Sequence, residues 1–274
     1  MIKNKKFLVP ALFLTGVTFI SSAVASTCAD LPTSEDLKSS LMSVAKLDGG
    51  KSNGGVGSPV WLTEVDSSGT VCAIVHNLPA GTDVTEHLAI SHRINSAQRA
   101  AISNGFSRSN GTPGTGLAVS SANIFFGSQF SELAQGLDSL ANTQINPFVG
   151  NSKTWGTPSD PLVGKRVGGT AAVPGAISLW NNKRIKVGAI GVAGDFRCTD
   201  HVIAWKVREL IGKGAYGVAN VPGGLSSAHN DALVQDVDPI TRQSVSGYGY
   251  FTCFNNPTPA NDGGAIEHAG GASE

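Results

Sequence analysis

The chain has 274 residues, 20 basic and 20 acidic side chains, a formal charge of zero and 34 glycines. A balanced charge without a clustered basic excess argues against a nucleic-acid footprint and gives no reason for attraction to anionic lipid. The length suits one large domain or two small ones, and low charge with abundant glycine describes a compact, loop-rich chain.

The first feature is an export signature. Lys3, Lys5 and Lys6 make a basic n-region, residues 7–20 carry no charge, and Ala23-Val24-Ala25 is a small-x-small cleavage site. This pattern predicts a leader removed before Ser26. The apolar run is shorter than the roughly 20 residues of a membrane span. No later stretch is apolar for long enough, so no membrane insertion is expected. Cleavage removes three lysines and no acids, leaving 17 basic against 20 acidic side chains, a charge of −3 over 249 residues. Residues 1–25 are thus expected to be a signal peptide, 26–254 one domain and 255–274 a flexible tail rich in Pro, Gly and Ala. The expected location is periplasmic or secreted.

Periodicity then predicts a helix over residues 33–46. Thr33 caps it with Asp36 three residues on, and Leu37, Leu41, Val44 and Ala45 share one face. Residues 48–59 form a Gly-rich loop. Residues 60–66 and 70–76 are β-rich runs joined by Ser67-Ser68-Gly69, a hairpin pattern. A long helix is expected over 83–104, with Ile90, Ile94, Ala97 and Ala101 as its buried stripe and Gly105 as its stop. Residues 106–175 look irregular, with short helical pieces near 120–126 and 132–140. Residues 176–180 and 185–192 make a second hairpin around Asn181-Asn182. A helix over 199–211, capped by Thr199 and closed by Gly212, buries Ile203, Val207 and Leu210. One further strand is expected near 248–254. Hairpins separated by helices predict an α+β domain, a mainly antiparallel sheet flanked by helices.

All four cysteines, Cys28, Cys72, Cys198 and Cys253, survive cleavage, and an even count in an exported chain implies two disulfides with three possible connectivities. A metal site needs closely spaced pairs, whereas the shortest gap here is 44 residues.

Catalytic signatures such as H-E-x-x-H, G-x-S-x-G and a Walker loop are absent from the sequence. His87 and His92, five positions apart on one helix, point about 140° away from each other and cannot form a metal pair. His92, Ser96 and Arg99 share a face opposite the apolar stripe, and the plainer account is a solvated polar face. Gly188, Gly191 and Gly194 follow the wrong spacing for a nucleotide turn. They instead allow another backbone, or a flat ligand, to approach the sheet closely. Ser226, His229 and Asp231 hold triad residue types but crowd into six residues of loop, and a triad is recognised by geometry. His201, if Thr199 caps its helix, lies in the first turn, where the helix N-terminus disfavours an imidazolium and leaves a neutral ring able to bind a metal. Lys165 and Arg166 lie in the Gly-bordered run DPLVGKRVGG, where cations and backbone amides can hold a carboxylate or phosphate.

Several segments taken together resemble one family. They are ISHRINSAQRAAISNGFS (90–107), SSANIFFG (120–127), DPLVGKRVGG (160–169), the run 174–180 and GAIGVAGDFRCTDHVIAWKVR (188–208). They are similar to the GlcG/HbpS haem-binding family, and in particular to its exported, cysteine-bearing bacterial branch. The likeness covers most of the chain from Cys28 to Cys253. It implies a sheet flanked by helices, homo-oligomers, and binding of haem or a related tetrapyrrole.

Three readings of function follow. The first is an exported tetrapyrrole-binding protein for haem sensing, storage or handling. The second is an enzyme or accessory protein that binds a small organic acid at Lys165 and Arg166. The third is a ligand-free oligomeric structural protein. The disulfides are expected to pair Cys28 with Cys72 and Cys198 with Cys253, each tying a terminal extension to a central element. His201, as metal ligand, is expected to share one pocket with Lys165 and Arg166, while Gly168, Gly169 and Gly191 admit a flat molecule.

Overall fold

The computed structural model describes residues 27–130, 148–168, 171–225, 231–253, 257–258 and 260–268. The expected leader and the helical piece expected at 132–140 lie outside these described residues. In chain order the elements are α1 (Ser34–Val44), β1 (Trp61–Asp66), β2 (Val71–His76), α2 (Val84–His87), α3 (Ser91–Phe106), β3 (Arg108–Ser109), β4 (Gly116–Leu117), α4 (Ser121–Phe130), β5 (Ala176–Trp180), β6 (Lys186–Ala193), α5 (Arg197–Leu210), β7 (Leu233–Gln235) and β8 (Ile266–His268).

Turn chemistry builds both main hairpins. At the β1–β2 turn, Asp66 Oδ1 accepts from the backbone N of Ser68 and of Thr70, each at 2.9 Å. Gly69 supplies the positive φ of 81°, which it adopts without a steric penalty. At the β5–β6 turn, Asn181 Oδ1 accepts from Lys183 N at 3.0 Å and Ile185 N at 3.1 Å. The hairpins join through β1 and β6 into a four-stranded antiparallel sheet of order β2-β1-β6-β5.

Alternation along each strand sends side chains to opposite faces. Trp61, Val65, Ile74 and Ala189 pack with Ile94, Ala97 and Ala100 of α3 on one face. Leu62, Val75, Ile190 and Val192 pack with Leu37 and Leu41 of α1 and Val202 of α5 on the other. Each fully buried large aliphatic side chain of this kind contributes about 1.5–3 kcal/mol. The architecture is an α+β domain, a mainly antiparallel sheet between helices. The Thr33 cap forms as expected, with its Oγ1 accepting from Asp36 N at 3.2 Å.

The glycines of β6 serve backbone packing. A Cβ at Gly191 would overlap the backbone of Ser96 and Ala100 on α3. Of the two approaches expected there, the one observed is that of another backbone.

Four expectations are corrected. The long helix of 83–104 is interrupted at Leu88, which is extended (φ −121°, ψ 138°), so α2 and α3 are separate. The polar face of α3 is not solvated: Ser96 and Arg99 are buried and His92 is half-buried, and the neighbouring Arg93 is buried as well. Buried polar groups persist when paired, and here Ser96 Oγ lies 2.6 Å from Thr63 Oγ1. Arg93 pairs with Asp160 at 2.5 Å and Arg99 with Asp200 at 2.6 Å. The last helix starts at Arg197, with Phe196 and not Thr199 as N-cap. Asp195 sets that start by accepting from Phe196 N at 2.7 Å. Finally, the expected loose tail returns to the body. Leu233 N donates to Ala265 O at 2.9 Å, β8 pairs in parallel with β7, and Ala265 and Ile266 are buried.

The disulfides are Cys28–Cys72 and Cys198–Cys253, with Cα separations of 5.2 Å and 5.9 Å, both inside the usual bridging range. Two disulfides fit an oxidising compartment. Among the described residues no helix is long and apolar enough to cross a membrane.

Candidate functional site

A cavity of about 560 Å³ opens where α3, the turn between β6 and α5, and the segment ending at Cys253 converge. From α3 come His92, Asn95 and Arg99; from the turn come Asp195, Phe196 and Arg197; from the third wall come Tyr250, Phe251, Thr252 and Cys253. Ala171, Val173 and Cys198 complete the lining.

Each wall is held locally. The carboxylate of Asp195 accepts from Phe196 N and, across the Gly-rich loop, from Val56 N at 3.1 Å and Ser58 N at 2.8 Å. The third wall has no regular secondary structure, and the Cys198–Cys253 disulfide staples it to α5. Tyr250 N donates to Val234 O at 2.7 Å. The Tyr250 ring stands edge-on to Phe125 at 4.7 Å and to Phe251 at 6.1 Å, arrangements that the aromatic quadrupole favours. Arg197 NH1 donates to Tyr250 Oη at 3.4 Å.

His92 is half-buried at the α3 wall. Burial first, and then the Arg99 cation, hold its imidazole below the usual range, so the ring is neutral at pH 7. Arg99 NH1 donates to Asp200 Oδ2 at 2.6 Å and to Val192 O at 2.5 Å. Burial pushes the Asp200 carboxyl up to about 7, against the opposing pull of Arg99. Its Oδ1 accepts from Asp195 N at 3.0 Å. A neutral imidazole, two guanidinium groups and a cluster of aromatic rings therefore meet around one space.

None of the described residues expected to share a pocket lines this one. His201 is the fifth residue of α5 and is 0% exposed. Its ring is neutral, as expected, but for a different reason. Burial, followed by the Arg208 cation, pushes its pKa down to about 3, whereas the helix terminus was the expected cause. Lys165 and Arg166 are exposed and lie along the edge of β2. There Val71 N donates to Lys165 O at 2.8 Å, and Arg166 NH2 donates to Ser68 Oγ at 3.3 Å. Gly168 is partly buried next to that edge, and Gly169 lies outside the described residues. Gly191 is occupied by the α3 backbone. The structure thus separates His201, in the α1–α5 layer, from Lys165 and Arg166 at the sheet edge. Of the crowded triad types, Ser226 and His229 lie outside the described residues, and Asp231 is paired with Arg208 at 2.6 Å.

One group of potential metal ligands lies close together among the described residues, Cys28, Asp66 and Cys72. Both sulfurs are consumed by the disulfide and offer no thiolate. The cavity residues that sequence reasoning passed over are Asn95, Asp195, Phe196, Arg197 and the Tyr250-Phe251 pair. The available signal was the shared face of His92 and Arg99 opposite an apolar stripe, together with two aromatic residues just before a cysteine. Comparison of the chain with models of known protein families and with curated proteins finds no match.

Proposed function

We propose that the protein is an exported tetrapyrrole-binding protein, periplasmic or secreted, that takes haem in the cavity between α3 and the Cys253 segment. The observation that carries this reading is the neutral, half-buried imidazole of His92 in one cavity with Phe196, Tyr250, Phe251 and the guanidinium groups of Arg99 and Arg197. A neutral imidazole is the iron-ligating form, aromatic walls receive a flat macrocycle, and guanidinium groups pair with carboxylates. The volume of about 560 Å³ falls within the roughly 300–1,000 Å³ of small-molecule sites. Three of the segments that resemble the GlcG/HbpS family supply walls or supports: residues 90–107 bring His92, Asn95 and Arg99, 120–127 bring Phe125, and 188–208 bring Asp195 to Cys198.

Bound haem would supply a Lewis-acidic iron for sensing, storage or handling. His92 would hold that iron, Arg197 and Arg99 would hold the propionates, and the aromatic rings would exclude water from the macrocycle. His201, with no exposed surface, does not take the iron in this reading. The export pattern and the two disulfides support the location. The resemblance supports homo-oligomers, which light scattering reads as a multiple of the mature chain mass; a constant monomer mass would count against assembly. The Arg99 and Arg197 pair also favours a second reading, a small organic acid as the ligand. Titration of the oxidised mature protein with hemin separates the two. The haem reading expects a saturable one-to-one Soret band shifted from that of free hemin, and an unshifted spectrum throughout overturns it.

A further inference from the structure

Arg99 is a cavity residue with a buried donor that the described residues leave unpaired. Its NH1 carries both contacts, to Asp200 Oδ2 at 2.6 Å and Val192 O at 2.5 Å. The other oxygen of Asp200, Oδ1, is engaged elsewhere, accepting from Asp195 N at 3.0 Å. Arg99 Nε is buried and has no hydrogen-bond partner among the described residues. NH2, which shares a planar edge with Nε, engages neither Asp200 nor Val192. A buried donor left without an acceptor costs about 1–3 kcal/mol, so a group from the cavity is the natural partner for this edge. Arg93, one helical face away, shows the saturated alternative: its Nε and NH2 take the two oxygens of Asp160 at 3.0 Å and 2.5 Å. Arg208 also leaves Nε and NH2 without partners among the described residues. It is not among the residues that line this cavity, however, and stacks on Trp205 with 4.4 Å to the ring centroid.

We infer that the Nε–NH2 edge of Arg99 is a carboxylate subsite in the cavity wall, and that the cavity selects an aromatic body bearing a carboxylate. The inference rests on the reading of this cavity as the ligand site but not on haem as the ligand. A guanidinium edge matches both oxygens of a carboxylate with two parallel N–H donors. Asp200 and Val192 fix the group from behind through NH1, so its orientation is set before any ligand arrives. His92 adds a neutral hydrogen-bonding ring beside it, and Phe196, Tyr250 and Phe251 provide flat apolar surface for the rest of the molecule. A tetrapyrrole propionate and a smaller aromatic acid share this chemistry.

Calorimetric titration of the mature, disulfide-bonded protein with 2-naphthoate and with its neutral analogue 2-naphthalenemethanol tests the subsite. The acid is expected to bind at least about tenfold more tightly than the alcohol, the scale of well-formed charge-assisted hydrogen bonds. Arg99→Lys keeps a cation for Asp200 but has no planar two-donor edge, so the acid–alcohol gap should close in that variant. Loss of structure would weaken both probes together, which makes the gap and not the absolute affinity the readout. Equal behaviour of the two probes with the wild-type protein, absence of binding by both included, overturns the inference, and so does a gap undiminished in folded Arg99→Lys. A shifted hemin Soret band with no naphthoate preference overturns the subsite and leaves the haem reading standing. A naphthoate preference that Arg99→Lys abolishes, without any hemin band, supports the subsite and replaces haem with a smaller aromatic acid.

Discussion

Replacing Cys198 and Cys253 together by alanine should cost both stability and ligand binding. The bridge closes a loop of 55 residues, for which the chain-entropy relation gives about 4 kcal/mol. That is a large part of the 5–15 kcal/mol that typically separates native from unfolded domains. The same bridge fixes the third cavity wall, whose other ties include the Tyr250 N to Val234 O hydrogen bond, the Arg197–Tyr250 contact and a few ring contacts. Urea unfolding followed by circular dichroism reads the first effect. With a slope of about 3 kcal/mol/M, the midpoint should fall by roughly 1.3 M. Hemin titration of the folded variant reads the second, with affinity expected to drop by about tenfold or more. The Cys28–Cys72 bridge is the control. It closes 44 residues, so its removal should cost a similar amount, about 4 kcal/mol, yet it lines no part of the cavity and hemin affinity should survive. A stability loss under about 1 kcal/mol with unchanged hemin affinity in the Cys198→Ala/Cys253→Ala protein would refute this account of the wall.

Glu64 on β1 is 0% exposed with neither carboxyl oxygen partnered among the described residues, and burial, then Asp36, raise its pKa well above the usual range. The native state therefore retains a proton that the unfolded chain releases above about pH 4.3, so this contribution is complete at low pH and is lost as pH rises toward the folded pKa. Glu64→Gln should gain on the wild type with rising pH in urea unfolding, and a pH-independent difference would contradict the assignment. Gly191→Ala should destabilise by about 1–3 kcal/mol by forcing α3 off the sheet, read as a lowered Tm; an unchanged Tm would contradict the close approach of α3 to β6.

The parts of the fold legible in the sequence were those fixed by local chemistry. Asp66 and Asn181 organise their turns, Thr33 caps its helix, and alternation along β1, β2, β5 and β6 sets the two faces of the sheet. The disulfide partners followed from where each cysteine stood relative to the central elements. The site was less legible because burial and pairing arise only in three dimensions. Ser96 and Arg99 look like a solvated helix face until Thr63 and Asp200, distant in sequence, pair with them. His201 looks like a terminal, accessible residue until Phe196 moves the helix start and the C-terminal segment returns through Ala265 and Ile266. The Gly-rich loop meets the cavity residue Asp195 through Val56 and Ser58, which donate to its carboxylate. None of these contacts leaves a periodic trace.

Which histidine meets the ligand is tested most directly by parallel hemin titrations of the His92→Ala and His201→Ala proteins. His92→Ala should lose the shifted Soret band and weaken hemin binding by at least about tenfold. Folded His201→Ala should keep the wild-type spectrum, with its defect confined to stability, because the wild-type ring is wholly buried away from the cavity. A wild-type spectrum in His92→Ala together with an altered one in folded His201→Ala would contradict the assignment of this cavity as the haem site.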